Sequence, residues 1–399
     1  MNTSRIRTGL AAVSTALACI AWPSTASATV SFADIQVGGF ISQGYLQSWG
    51  NNYPVEADGG TFDFREIALN ASYSRGDFRI GAQAFAQSLG NYGEDEPILD
   101  WAVADYQFRR EIGLRAGRLK FPRGLYGEAL DVDSIRPYAF LPLSLYNPIL
   151  RDFFGSFDGA MAYGNLGLGD AGSLDYKVFY GDRSVSADQG VADFFNNSGI
   201  YAAPGVAALK LGSVYGLQLF WNTPILGLRG GYSFNRLADV AGDGAFAPAP
   251  ALPAGLTSDA YDTHALSVEY YYNDWVFAAE WQRVVSDFHL TTPLFVRPSP
   301  FQWSNWYVSA ARRITPYLEL GAYYSSQTDD APDPTAPDFY NYNREWVASA
   351  RFDLTDQLLV KIEGHWIEGA MNVFNTVKTP NPARDLRTTL LAVKTTYSF

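Results

Sequence analysis

From Leu391 to Phe399 the chain alternates strictly. Leu391, Val393, Thr395, Tyr397 and Phe399 share one face, and Ala392, Lys394, Thr396 and Ser398 share the other. A period of two is the signature of a β-strand with unlike faces. The pattern recurs upstream. Phe78, Ile80, Ala82 and Ala84 oppose Arg79, Gly81, Gln83 and Gln87. Leu266, Val268, Tyr270 and Tyr272 run into Asn273-Asp274, and Trp275, Phe277, Ala279 and Trp281 lead away. No run of eighteen apolar residues follows the first 28, so no membrane-spanning helix is expected. Strands with one apolar and one charged face can cross a bilayer only as a closed sheet, where every backbone group is paired. The expectation is an all-β fold: a transmembrane antiparallel β-barrel.

Composition agrees with this. The chain is 15% aromatic and 47% hydrophobic, yet its mean hydropathy is only −0.10. Aromatics spread along strands suit the girdles of a barrel at the membrane edges. The net charge of −12 argues against nucleic acid as a partner, which requires a basic surface. At the N-terminus, Arg5 and Arg7 precede an apolar run from Gly9 to Trp22, and Ala26-Ser27-Ala28 forms a small-x-small site. Residues 1–28 therefore read as a secretory signal peptide. The only cysteine, Cys19, lies within it, so the mature chain is expected to form no disulfide.

Residues 29–399 read as one barrel of about 16 strands with no separate domain. Short turns, such as Arg75-Gly76-Asp77, Arg109-Arg110 and Asn273-Asp274, alternate with longer loops. The Asn-, Gly- and Ala-rich stretch from Ser184 to Leu209 is expected to be mobile. The Ala-, Pro- and Gly-rich stretch from Ala238 to Leu256 is expected to be a flexible loop.

One connection is unlike the rest. After the strand from Glu111 to Phe121 the chain runs irregularly over about 122–156, with Pro122, Pro137, Pro142 and Pro148. A structureless loop this long is usually functional. The expectation is that it folds into the barrel and narrows it.

Charged side chains are costly against lipid, so those on strands should face the lumen. Parity assigns Arg79, Asp105, Arg115, Lys177, Arg229, Glu269, Glu280, Glu319, Arg351, Lys361, Glu363 and Lys394 to the inner wall. A pore constriction is expected from Arg115, Arg118, Lys120, Arg123, Glu128, Asp131, Asp133, Arg136 and Arg151. Guanidinium groups there could pair with carboxylate or phosphate oxygens.

The alternating last strand ending in Phe resembles Gram-negative outer-membrane barrel proteins. More narrowly, Gly117-Arg118-Leu119-Lys120-Phe121-Pro122-Arg123-Gly124 resembles the Gly-Arg-x-Lys-x-Pro-x-Gly segment that enters the constriction loop of porins of the phosphate-selective group. The resemblance implies a homotrimeric channel in the outer membrane for passive diffusion of small hydrophilic solutes. Small anions such as phosphate or carboxylates would be favoured. The chain departs from that pattern by adding Glu128, Asp131, Asp133 and Asp152 beside the basic residues.

Two other readings compete: a structural or adhesion barrel with a plugged lumen, and an outer-membrane hydrolase. No Gly-x-Ser-x-Gly, His-Glu-x-x-His or phosphate-cradling motif occurs. Of the three histidines, His264, His289 and His365, only His264, two residues after Asp262, is a candidate for outward catalysis. No catalytic residue is assigned, and no cofactor or metal is expected. The acidic stretch Asp329, Asp330, Asp333 reads as solvated rather than as a calcium loop.

Overall fold

The computed structural model describes residues 30–32, 34–186, 190–191, 206–246, 252–298, 300–332, 334–376 and 378–399. The leader expected over 1–28 and Asp333 lie outside these, as do 187–189 and 192–205 within the stretch expected to be mobile. Among the described residues sixteen long strands form one antiparallel ring. They are β1 (Ile35–Trp49), β2 (Phe64–Arg75), β3 (Phe78–Leu89), β4 (Ile98–Arg109), β5 (Ile112–Lys120), β6 (Ser156–Gly167), β7 (Ser173–Ser186) and β8 (Val206–Asn222), followed by β9 (Leu228–Phe246), β10 (Leu252–Tyr272), β11 (Trp275–Ser286), β12 (Phe301–Thr315), β13 (Leu318–Asp329), β14 (Tyr342–Asp353), β15 (Leu358–Gly369) and β16 (Arg387–Ser398). Each pairs with its sequence neighbour, and β16 pairs with β1 from Thr389↔Trp49 to Ser398↔Phe40. Backbone bonds between Phe399 and Gly39 continue that seam. The ring therefore has no free edge, the condition for burying a sheet in lipid.

The alternation read from the sequence is the alternation of exposure. On β15, Ile362 and Trp366 are exposed while Lys361, Glu363 and His365 are fully buried. On β10, Leu266 and Val268 are exposed and Glu269 is buried. Outer-face aromatics stack on one another: Trp275 on the exposed Phe277 at 5.4 Å and Tyr270 on the exposed Tyr272 at 5.8 Å. Tyr324 bridges Trp306 and Trp346.

The stretch from Ala238 to Leu256 departs from expectation. It is not a loop: β9 and β10 pair continuously through most of it, out to Phe246↔Leu252. Val240 and Leu256 are buried in a cluster with Phe288, Leu290 and Trp303. These apolar residues are spaced at period two but diluted among Ala and Gly, so composition hid a strand pattern. Only 247–251 lie outside the described residues there.

Candidate functional site

Two positions near the exit from β5, Gly117 within the strand and Gly124 just after it, can be filled only by glycine. Gly117 has φ +125°, and a Cβ there would lie 2.2 Å from the Ala102 carbonyl oxygen. Gly124 has φ +54°, and its Cβ would lie 2.2 Å from Glu280 Oε2 and 2.4 Å from the Tyr146 hydroxyl. Positive φ and close approach both exclude a side chain. These are the two glycines of the segment that resembles the porin motif.

Beyond Gly124 the segment is bonded to buried inner-face side chains around the ring. The Gly124 N–H donates to Ser233 Oγ at 3.1 Å, and Gln218 Nε2 donates to the Gly124 carbonyl at 2.9 Å. Glu280 accepts from the Leu125 N–H at 2.8 Å and from Tyr146, Ser267 and Tyr307 hydroxyls at 2.6–2.8 Å. Glu128 pairs with Lys177 on β7. On the other side, Lys361 Nζ donates to the carbonyls of Asp133 at 2.8 Å and Tyr138 at 2.9 Å. Arg351 donates to the Ser134 carbonyl at 2.6 Å. Glu363 accepts the Ala139 and Phe140 N–H groups at 2.8 and 3.2 Å.

Two ionic centres hold this run. Asp133 meets Lys394 at 2.9 Å, Arg136 at 3.1 Å, Lys361 at 3.4 Å and the Thr396 hydroxyl at 2.7 Å. Burial would push its carboxyl up, but Lys361, Lys394 and Arg136 outweigh that and hold it well below the usual range. The second centre pairs Asp100 and Asp131 with Lys120 and Arg151 at 2.6–2.8 Å. Here too burial raises the Asp131 carboxyl and Arg151 with Lys120 overrides it, so its value is lowered.

No protein-family model matches the chain, and no curated protein matches it in sequence. Solved structures do match. The trimer form of in-vitro folded OmpT of Vibrio cholerae aligns with TM-score 0.56 and 11% identity, over 92% of this chain and 99% of that one. The anion-selective porin of Comamonas acidovorans aligns with TM-score 0.55 and 11% identity, over 92% and 99%. OmpF of Salmonella typhi in complex with daunomycin aligns with TM-score 0.58 and 11% identity, over 93% and 100%. The chain has the porin barrel fold. At 11% identity the likeness is one of architecture.

The inner-wall residues assigned by parity all lie opposite the exposed apolar face. Asp105, Glu269, Glu280, Glu319, Arg351, Lys361, Glu363 and Lys394 are buried, and Arg79, Arg115, Lys177 and Arg229 are partly so. Arg115 pairs with Asp105 at 2.8 Å and Arg229 with Glu269 at 2.7 Å. Eight of the nine residues expected at the constriction gather on this inner side.

Arg118 is a correction. It lies on the outer parity with Leu114 and Ala116 and pairs with Asp158 at 2.7 Å, both side chains well exposed. Its distance of three residues from Arg115 puts it on the opposite face. Lys120 shares the parity of Arg118 but is the last residue of β5, where the chain leaves the sheet and the side chain reaches inward.

Sequence reading missed Asp100, which joins two cations. Parity places Asp100 and Asp105 on opposite faces. A register shift between Gln83 and Ala84 skips Asp100 in the β3–β4 pairing, and this bulge turns it inward. Also missed were Glu66, bonded to Lys394 at 2.6 Å, and His365, whose ring nitrogens lie 2.7 Å from Glu345 and 2.8 Å from Glu363. His264, the outward candidate, is hydrogen-bonded to the Tyr232 hydroxyl at 2.8 Å. Asp330 is paired with Arg283 and with Ser304 at 2.6 Å.

Proposed function

We propose that this chain is an outer-membrane porin: a passive channel for small hydrophilic solutes, narrowed by the segment over 122–156, without covalent chemistry. One observation carries the reading. The segment is hydrogen-bonded to inner-face side chains on opposite sides of a closed ring, from Gln218 and Glu280 to Arg351, Lys361 and Glu363. A loop tied across a polar lumen restricts passage while leaving a wet, charged path beside it. The leader-like residues 1–28 support export, and the exposed apolar band supports contact with outer-membrane lipid. A homotrimer is supported by the motif resemblance and by the trimer form of the Vibrio cholerae neighbour. A preference for small anions such as phosphate or carboxylates rests on Arg115, Lys120, Arg123, Arg136 and Arg151 near the narrowing, with the anion-selective neighbour in the same direction. Asp100, Asp105, Asp131 and Asp133 pair with all of these but Arg123, so the preference should be moderate.

The test is planar-bilayer recording of the refolded protein. Stepwise conductance in potassium chloride is expected, with a reversal potential shifted toward anions in a salt gradient. A well-folded barrel that stays silent would remove the channel reading and leave the plugged adhesion barrel.

A further inference from the structure

The three arginines of the narrowing segment are not equivalent. Arg136 is held by Asp133, and Arg151 by Asp100 and Asp131. The Arg123 side chain has no carboxylate partner and no hydrogen bond among the described residues, although the residue is only 6% exposed. Its guanidinium instead lies over two rings, 4.3 Å from the centroid of Phe154 and 5.2 Å from that of Tyr146. Glu280, the acid whose charge reaches it, is already engaged by four donors.

Arg123 lines a cavity together with Tyr146, Phe154, Tyr261 and Trp303. Two carboxylates also line it, and both are committed: Asp131 to Lys120 and Arg151, Glu66 to Lys394. A second, smaller cavity shares Phe154, Tyr261 and Trp303 and adds Phe153, Phe288 and Phe301. The space beside the uncommitted cation is therefore aromatic on one side and continues into an apolar annex.

We propose that Arg123 and these rings form a binding site for small monocarboxylates with an apolar, aromatic body. The carboxylate pairs with the Arg123 guanidinium, whose fork matches two oxygens. The body of the ligand lies against Phe154, Tyr261 and Trp303, where ring–ring contact and loss of apolar surface add affinity. Inorganic phosphate is disfavoured, because Arg65, Arg136 and Arg151, which also line the cavity, are each committed to carboxylates, and the single uncommitted guanidinium cannot replace the hydration of a multiply charged ion. The proposal narrows the solute of the channel reading, and binding is measured without requiring conduction.

The full chain, folded in detergent micelles, is titrated with sodium benzoate, sodium acetate and sodium phosphate, and binding is followed by calorimetry and tryptophan fluorescence. Benzoate is expected to bind at least tenfold more tightly than acetate or phosphate. Arg123→Gln is expected to weaken benzoate at least tenfold. Trp303→Leu is expected to weaken benzoate several-fold while leaving acetate unchanged. Equal affinity for the three anions, a preference for phosphate, or an Arg123→Gln protein that binds as the parent does would overturn the site. If Arg123→Gln fails to fold, Arg123→Lys and Trp303→Leu decide: retained benzoate preference in the first with loss in the second supports the site, and no change in the second overturns it. Conductance in potassium chloride is recorded on the same preparation. Benzoate binding to a silent barrel sinks the channel reading alone, and conduction without benzoate preference sinks this proposal alone.

Discussion

Asp133 and Arg123 stand ten residues apart in one segment, both almost fully buried, and their surroundings are opposites. Asp133 is met by three cations and a hydroxyl. Arg123 is met by two aromatic faces and no carboxylate. The first is a fastening, in which each charge is consumed by another. The second is a charge left for something else. Burying a charge in a narrow passage does not by itself make it a selectivity element. What distinguishes the two is whether the protein has already supplied the counter-ion.

The contrast can be broken by substitution. The largest effect is expected at the fastening. Asp133→Asn leaves Lys361, Lys394 and Arg136 facing one another, and removing one partner of a buried ionic group costs about 3–5 kcal/mol. Denaturant unfolding in micelles checks the loss, and open-channel noise should rise. Acid should act on the same contacts. The carboxyls of Asp131 and Asp133 are held low in the folded state, so their contribution is complete above the ordinary carboxylate pKa of about 4. It is lost only as pH falls below that value toward the depressed one. Hydrogen-exchange protection at 131–140, taken relative to the intrinsic amide rate at each pH, should therefore be flat from neutrality to about pH 4 and fall below it. A loosening centred near neutrality would contradict the assignment.

Next comes Glu363→Gln, which replaces charged acceptors of the Ala139 and Phe140 N–H groups by a neutral one. A loss of about 1.5–3 kcal/mol is expected, read as faster exchange at those two amides. Arg123→Gln removes two ring contacts and no ion pair, so unfolding should change by about 1–2 kcal/mol, yet the anion-to-cation permeability ratio should fall several-fold. A large fall in stability with unchanged selectivity would make Arg123 a second fastening and erase the contrast. The smallest effect is expected for Arg118→Ala. Its exposed outer pair with Asp158 is worth less than about 1 kcal/mol, and ion selectivity should not move.

The barrel was legible because two-residue periodicity survives wherever one face meets lipid and the other does not. Phe78, Ile80, Leu266 and Val268 are exposed as the alternation predicts for that reason. β9 and β10 beyond Ala238 were not legible, because Val240 and Leu256 mark the period too sparsely among small residues. The candidate site was legible as a region and illegible as a set of partners. The glycines at 117 and 124 and the run of prolines mark where the chain leaves the wall. Yet apart from Arg136 the groups that hold Asp133 come from β15 and β16, more than two hundred residues away, and local spacing carries no trace of them. Arg118 and Asp100 each lie on the face opposite to the one expected, for different reasons. Proximity along the chain was allowed to outrank face in one case, and a bulge inverted face in the other.

The bonds from Gly124 to β8 and β9 and from Asp133 to β15 and β16 also bear on the shape of the whole cylinder. A hollow sheet embedded in a bilayer is squeezed laterally and tends to flatten into an ellipse. A stiff tie running wall to wall acts as an internal strut against that squeeze. On the channel reading proposed above, loosening these fastenings should let the tube deform as well as widen the hole.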